Sequence, residues 1–102
     1  MTHSITIEDR VNSGSFRTVF LTVDVTSLEN AGGEPIDLED EVGLNRAIGA
    51  GIIGMESADS YLATWDHIND EIHFADSDTG GDVSSGTDVG EVRLRVDGDP
   101  SA

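Results

Sequence analysis

Lysine and cysteine are both absent from this chain of 102 residues, and aromatic residues make up only 5% of it. Without cysteine there is no disulfide framework, zinc–thiolate cluster or thiol nucleophile, and the redox compartment cannot be read from the composition. Without lysine the cationic side chains are five arginines: Arg10, Arg17, Arg46, Arg93 and Arg95. No apolar run approaches the length needed to span a membrane, and Met1-Thr2-His3-Ser4 lacks the basic region and apolar stretch of a secretory signal. A soluble product of cytoplasmic synthesis is expected. Hydrophobic residues reach 36%, below the usual share, so the core of so short a chain is modest and salt or a partner surface is expected to add stability.

Against those five cations stand 21 aspartates and glutamates, for a net charge of −16. In dilute buffer such a charge repels itself and opposes a compact state. Molar salt shortens the Debye length to about 3 Å and removes most of that repulsion. Extreme acidity without lysine therefore reads as adaptation to concentrated salt. An acidic disordered segment would share the charge, but here apolar runs recur along the chain with carboxylates scattered between them. The same charge argues against nucleic acid and anionic membrane as direct partners.

Residues from Ser15 to Val25 alternate with period two, Val19, Leu21, Val23 and Val25 pointing one way and Phe16, Thr18, Phe20 and Thr22 the other. That pattern predicts a long strand with a buried face. His3 to Ile7 is a shorter candidate strand, joined to it by a turn at Asn12-Ser13-Gly14. Ser27 to Glu41 reads as a polar connection, with at most a short turn or 3₁₀ segment at Ile36, Leu38 and Val42. Arg46 to Met55 is apolar but interrupted by Gly49, Gly51 and Gly54, which predicts a buried, glycine-bent strand; a helix there would lose roughly 2–3 kcal/mol to its glycines. Tyr61–Trp65 and Glu71–Ala75 form a hairpin across Asp66-His67-Ile68-Asn69-Asp70. Asp76 to Asp88 is a Ser/Gly/Asp loop, and Val89 to Val96 closes the chain as a strand with Val92, Leu94 and Val96 inward and Arg93 and Arg95 outward. Together these predict an all-β, mainly antiparallel fold, a small β-sandwich or barrel-like domain spanning 1–102, with 97–102 as a flexible tail.

Motifs for chemistry are weak. Asp76-Ser77-Asp78-Thr79-Gly80-Gly81-Asp82 superficially resembles a calcium loop, but Thr87 stands where a bidentate glutamate is required. Asp66, His67 and His73 are ligand types for zinc or iron without a spacing signature. There is no nucleophile elbow and no glycine-rich phosphate loop. With so many carboxylates, pairs at catalytic separation arise by chance and carry no weight. No catalytic residue, metal or cofactor is assigned, and the chain is not expected to be an enzyme. Tyr61 and Trp65, four apart on a strand, share a face. Core packing explains them first, and an interface anchor is the functional reading.

Four landmarks follow in order: Gly32-Gly33-Glu34 with Asp37-Leu38; Gly43-Leu44-Asn45-Arg46; Tyr61, Trp65-Asp66, Asn69 and Glu71-Ile72; and Gly86-Thr87-Asp88-Val89 leading into Val92-Arg93. Spread over residues 5 to 96, this order resembles small head-associated proteins of tailed viruses. It departs from them in an acidic ending, Asp97-Gly98-Asp99-Pro100, and in a shorter, more acidic loop after Ala75. The resemblance implies a β-rich virion component without catalytic residues: a head decoration or turret protein in the capsid, partnered by the major capsid protein and by copies of itself as a homo-oligomer. The acidic composition then implies a virus of salt-loving archaea. Candidate interface residues are Arg93, Arg95, Tyr61 and Trp65. The alternative is a cytoplasmic β-domain of a halophile that binds a small molecule or a partner protein.

The charge makes a direct prediction. Dialysis from multimolar KCl to about 0.1 M salt, where the Debye length grows to ~10 Å, unfolds the isolated chain. Circular dichroism and melting temperature read this, and an unchanged signal across the range contradicts salt stabilisation.

Overall fold

The computed structural model describes residues 2–100. The alternation beginning at Phe16 forms β2 (Phe16–Val25), whose Val19, Leu21, Val23 and Val25 are fully buried. Strand β2 lies between β1 (His3–Ser13) and β7 (Gly90–Pro100), and β4 (Leu44–Met55) forms the far edge, so the larger sheet runs β1-β2-β7-β4. A smaller sheet runs β3-β6-β5, from β3 (Gly33–Pro35), β5 (Tyr61–Asp66) and β6 (Glu71–Asp76). All strand pairings in both sheets are antiparallel, and the architecture is the expected all-β fold, a two-sheet sandwich.

The core lies between the sheets. On the larger sheet Val19 faces Val96, Leu21 faces Leu94 and Val23 faces Val92 across the β2–β7 ladder. Ile72 and Phe74 of β6 meet them from the other side, with Leu28, Ile36, Val83 and Val89 from the connections completing one cluster. These β-branched and apolar residues sit at every second position because that is the only register that puts all of them on one side of the pleat.

Several elements depart from the sequence reading. Strand β1 continues past Ile7 to Ser13, through Glu8-Asp9-Arg10, with a register shift between Ile7 and Asp9. It is an edge strand, where charged residues and a bulge are tolerated because one side faces water. The β1–β2 turn accordingly falls at Gly14–Ser15, where Gly14 takes φ 65°. The connection after Ser27 contains β3 and a one-turn α-helix, α1 (Leu38–Val42), instead of an irregular or 3₁₀ stretch. Asp37 caps α1 by accepting the Asp40 N–H at 3.0 Å, and Leu38 and Val42 anchor it in the core. Beyond the buried Leu44, strand β4 is at most partly buried. It bulges between Leu44 and Arg46, Ala47 and Gly49, and Ile52 and Gly54, which leaves Ile48 and Ile53 about half exposed at 54% and 52%. Bulges of this kind twist an edge away from further pairing.

The final strand also runs longer than its apolar alternation. Residues 97–100, expected as part of a flexible tail, belong to β7: Asp97 pairs with Thr18 and Gly49, and Gly98 with Arg17 and Ala47. A Cβ on Gly98 would stand 2.3 Å from the Arg46 carbonyl oxygen, so only glycine lets β4 approach there. Pairing on both sides carries the strand on where hydrophobicity stops. The rest of that expected tail, 101–102, lies outside the described residues. The hairpin expected from Tyr61–Trp65 and Glu71–Ala75 forms with each strand one residue longer, its turn built on Asp66, which accepts from the Ile68 and Asn69 amides and the Asn69 side chain. Those bonds hold the Asp66 carboxyl below its ordinary pKa.

The register predicts opposite outcomes at adjacent positions of one strand. Leu94→Asp places an unpaired charge in the core and costs several kcal/mol or prevents folding, whereas Arg95→Ser, one residue on, changes stability by about 0.5 kcal/mol or less. Equal tolerance in salt-dependent chemical denaturation would mean that β7 faces the other way.

Candidate functional site

Two places concentrate chemistry: the solvent face of the larger sheet and a buried ion cluster where β1 meets the smaller sheet. The solvent face follows from the same period that builds the core. With Leu21 and Leu94 inward, Phe16, Thr18, Phe20 and Thr22 of β2 and Arg93, Arg95 and Asp97 of β7 project outward. Val11 of β1 stands opposite Thr18, diagonal to both phenylalanines, and Val11 and Phe16 are 46% and 50% exposed. Two of the protein's three phenylalanines are therefore outside the core.

Polar ladders frame this apolar group. The Thr22 hydroxyl donates to Glu8 at 2.7 Å and accepts from Arg93 Nε at 3.3 Å, and Arg93 also lies 3.6 Å from Glu8. On the other side of Phe20, Thr18 donates to Asp97 at 2.6 Å and Arg95 Nε approaches the same carboxylate at 3.3 Å. Phe20 itself stands directly opposite Arg95. Arg46, outward on β4, pairs with Asp99 at 3.1 Å. Three of the five arginines thus share this face, each beside an acid of its own sheet. Such exposed pairs contribute only a few tenths of a kcal/mol each.

Tyr61 and Trp65 occupy a different place. On β5 they point inward with Ala63, partly buried against the core. Arg93 and Arg95 share one face as read, but the structure does not bring the tyrosine and tryptophan to it. Trp65 borders a depression of about 170 Å³ with Leu38, Glu39, Ala47, Ile48, Gly49, His67 and Asp70.

Residues flagged as metal ligands do not converge. His67 is exposed in the hairpin turn, Asp66 is engaged by that turn's own N–H groups, and His73 lies 3.2 Å from Asp82. In the acidic loop, Asp76 accepts from the Asp78 and Thr79 amides at 2.8 and 3.1 Å, which turns its carboxylate onto the backbone. Among the described residues no group of three or more His, Asp or Glu is arranged to hold a metal ion. Four carboxylates, Asp24, Glu56, Asp88 and Glu91, border an open depression of about 440 Å³. Another, of about 260 Å³, is lined by Thr22, Ile53, Gly54, Met55, Glu56, Glu91 and Arg93.

The buried cluster was not legible in the sequence. Glu34, on β3, points into the core side with 0% exposure. Its carboxylate accepts from the Glu29 amide at 2.8 Å, from the Thr2 hydroxyl, and bonds to His3 Nδ1. His3 Nε2 in turn lies 2.6 Å from Glu41 on α1, whose other oxygen accepts the Asp37 amide at 2.8 Å. Burial alone would lower the His3 pKa. The hydrogen bonds to Glu34 and Glu41, with their charges, outweigh it and raise the net value above the usual 6.5. The available signal was faint: His3 shares parity with Ile5 and Ile7, and Glu34 belongs to a quoted landmark. Nothing local joins residues that far apart.

Compared with known protein families, curated proteins and solved structures, the chain matches none.

Because Glu34 is buried and fully bonded, Glu34→Ala strips the partners of Thr2, His3 and the Glu29 amide at once. The expected cost is about 3–5 kcal/mol, the range for breaking a buried ion pair from one side. Chemical denaturation in molar salt measures it, and a loss below about 1 kcal/mol would show that Glu34 is dispensable.

Proposed function

We propose that this protein is a non-enzymatic structural component of the virion of a halophilic tailed virus. In this reading it attaches to the capsid as a head decoration or turret component, and the outer face of the larger sheet is the surface that meets the shell. One observation carries the docking surface: Val11, Phe16 and Phe20 form an outward group although aromatic residues are scarce and the core is small. Half-exposed Val11 and Phe16 beside a partly covered Phe20 stabilise nothing within the chain, and exposed apolar residues rimmed by polar ones mark interaction surfaces. Arg93 and Arg95, 55% and 54% exposed beside that group, are able to exchange their own acids for carboxylates on a neighbouring subunit.

The four landmarks on which the resemblance rests fall at defined places in the fold. Gly32-Gly33-Glu34 opens β3 and supplies the buried carboxylate, and Asp37 and Gly43 bound α1. Tyr61 to Ile72 is the β5–β6 hairpin, and the Gly86-Thr87 segment exchanges backbone bonds with Leu28 at 2.7 and 2.9 Å. A small-molecule domain would call for a concave and mainly apolar pocket, and the depressions described above are open, one of them ringed by carboxylates. The partners in this reading are the major capsid protein and symmetry copies of the chain itself.

Two double variants test it: Phe16→Ser with Phe20→Ser, and Arg93→Gln with Arg95→Gln. Both are expected to fold in molar salt, because the positions lie outside the core, and to lose at least about tenfold in incorporation into particles, the equivalent of 1.4 kcal/mol. Incorporation of both variants at the level of the unsubstituted protein would remove this face from the docking surface.

A further inference from the structure

The His3 cluster joins three elements through one imidazole. His3 begins β1 and Thr2 precedes it, Glu34 belongs to β3 and Glu41 to α1, and the histidine side chain is only 12% exposed. We propose that His3 is a pH-operated latch: doubly protonated, its ring ties α1 and the start of β1 to β3, and on losing one proton it releases α1. This rests on the cluster alone and is independent of the proposed virion role.

Release at α1 follows from unequal burial. An imidazolium donates two N–H bonds, one to each carboxylate, whereas a neutral ring keeps a single N–H and turns a lone pair towards the other acid. Glu34 is 0% exposed and Glu41 is 32% exposed. Facing a lone pair towards Glu34 would leave an uncompensated charge in the interior, while Glu41 can be hydrated. The remaining proton therefore stays on Nδ1 with Glu34, and Glu41 turns to water. A helix of one turn does not hold itself together, so α1 then depends on Leu38, Val42 and its caps.

Glu29 and Asp37 contribute backbone N–H groups to Glu34 and Glu41. Val25 of β2, opposite His3, and Ile72 of β6, opposite Glu34, are apolar. The sign is that of a histidine whose folded pKa is raised. The latch is closed below 6.5 and opens as pH rises through the higher folded value. Each unit by which the bond to Glu41 raises the His3 pKa is a tenfold change in the closed-to-open ratio.

Amide hydrogen exchange by NMR in molar salt, from about pH 5 to about pH 9, tests this. The Glu41 amide donates to Asp37 and the Gly43 amide to Glu39, so both report α1; the Leu21 and Leu94 amides report the β2–β7 core. After correction for intrinsic rates, protection at Glu41 and Gly43 is expected to fall with the titration of His3, by tenfold per unit of pKa that Glu41→Gln removes from His3, while Leu21 and Leu94 hold. Glu41→Gln, which keeps an oxygen for the Asp37 amide, is expected to lower the His3 pKa and abolish the step. His3 titrating at or below 6.5, a parallel fall at all four amides, or a step that survives Glu41→Gln would each overturn the latch.

Discussion

Everything in this molecule hangs on the contact between β2 and β7. Leu21 opposite Leu94, Val19 opposite Val96 and Val23 opposite Val92 are fully buried at the centre of the larger sheet. A chain with 36% hydrophobic residues and a charge of −16 has few apolar side chains from which to build a core. It has to gather them where backbone pairing and burial reinforce each other. With that ladder in place, β1 and β4 take the edges, and β6 lays Ile72 and Phe74 across the inner face. The period of two that fills the core also decides which residues are left outside.

Charge is organised around this wall in two ways. On the surface, carboxylates are many and dispersed, and three of the five arginines lie beside acids of their own sheet, Arg93 near Glu8, Arg95 near Asp97 and Arg46 near Asp99. In the interior one carboxylate, Glu34, is accepted because three donors surround it. A buried ion bonded on every side is a poor source of net stability but a strong constraint on geometry. Here it sets where the start of β1, β3 and α1 meet. Screening by salt relaxes the surface and leaves that cluster nearly untouched, since buried pairs are screened far less.

Much of the fold was legible because it is local. The alternation at Phe16–Val25 and at Val92–Val96 and the Asp66–Asp70 turn each announce an element within a few residues. What was missed depends on partners. Residues 97–100 of β7 carry no apolar signal and are strand because β4 pairs along all of them and β2 pairs with 97 and 98. Gly49, Gly51 and Gly54 suggested a buried bent strand, but β4 is an edge whose bulges expose Ile48 and Ile53. The glycines remove side-chain bulk without saying which face is wet. Of the candidate site, Arg93 and Arg95 share the outward face as their parity implied, while Tyr61 and Trp65 have the core as their neighbour. His3, Glu34 and Glu41 were invisible because the meeting of three elements is a tertiary fact.

The outward phenylalanines give the account its most exposed claim, that the larger sheet lies against a shell. An electron cryo-microscopy map of particles purified in high salt tests it most directly. The account predicts this fold on the capsid surface with Val11, Phe16, Phe20, Arg93 and Arg95 turned towards the shell and the acidic Asp76–Asp88 loop towards solvent. A map in which the fold is absent from the particle, or in which that sheet faces water, would contradict it.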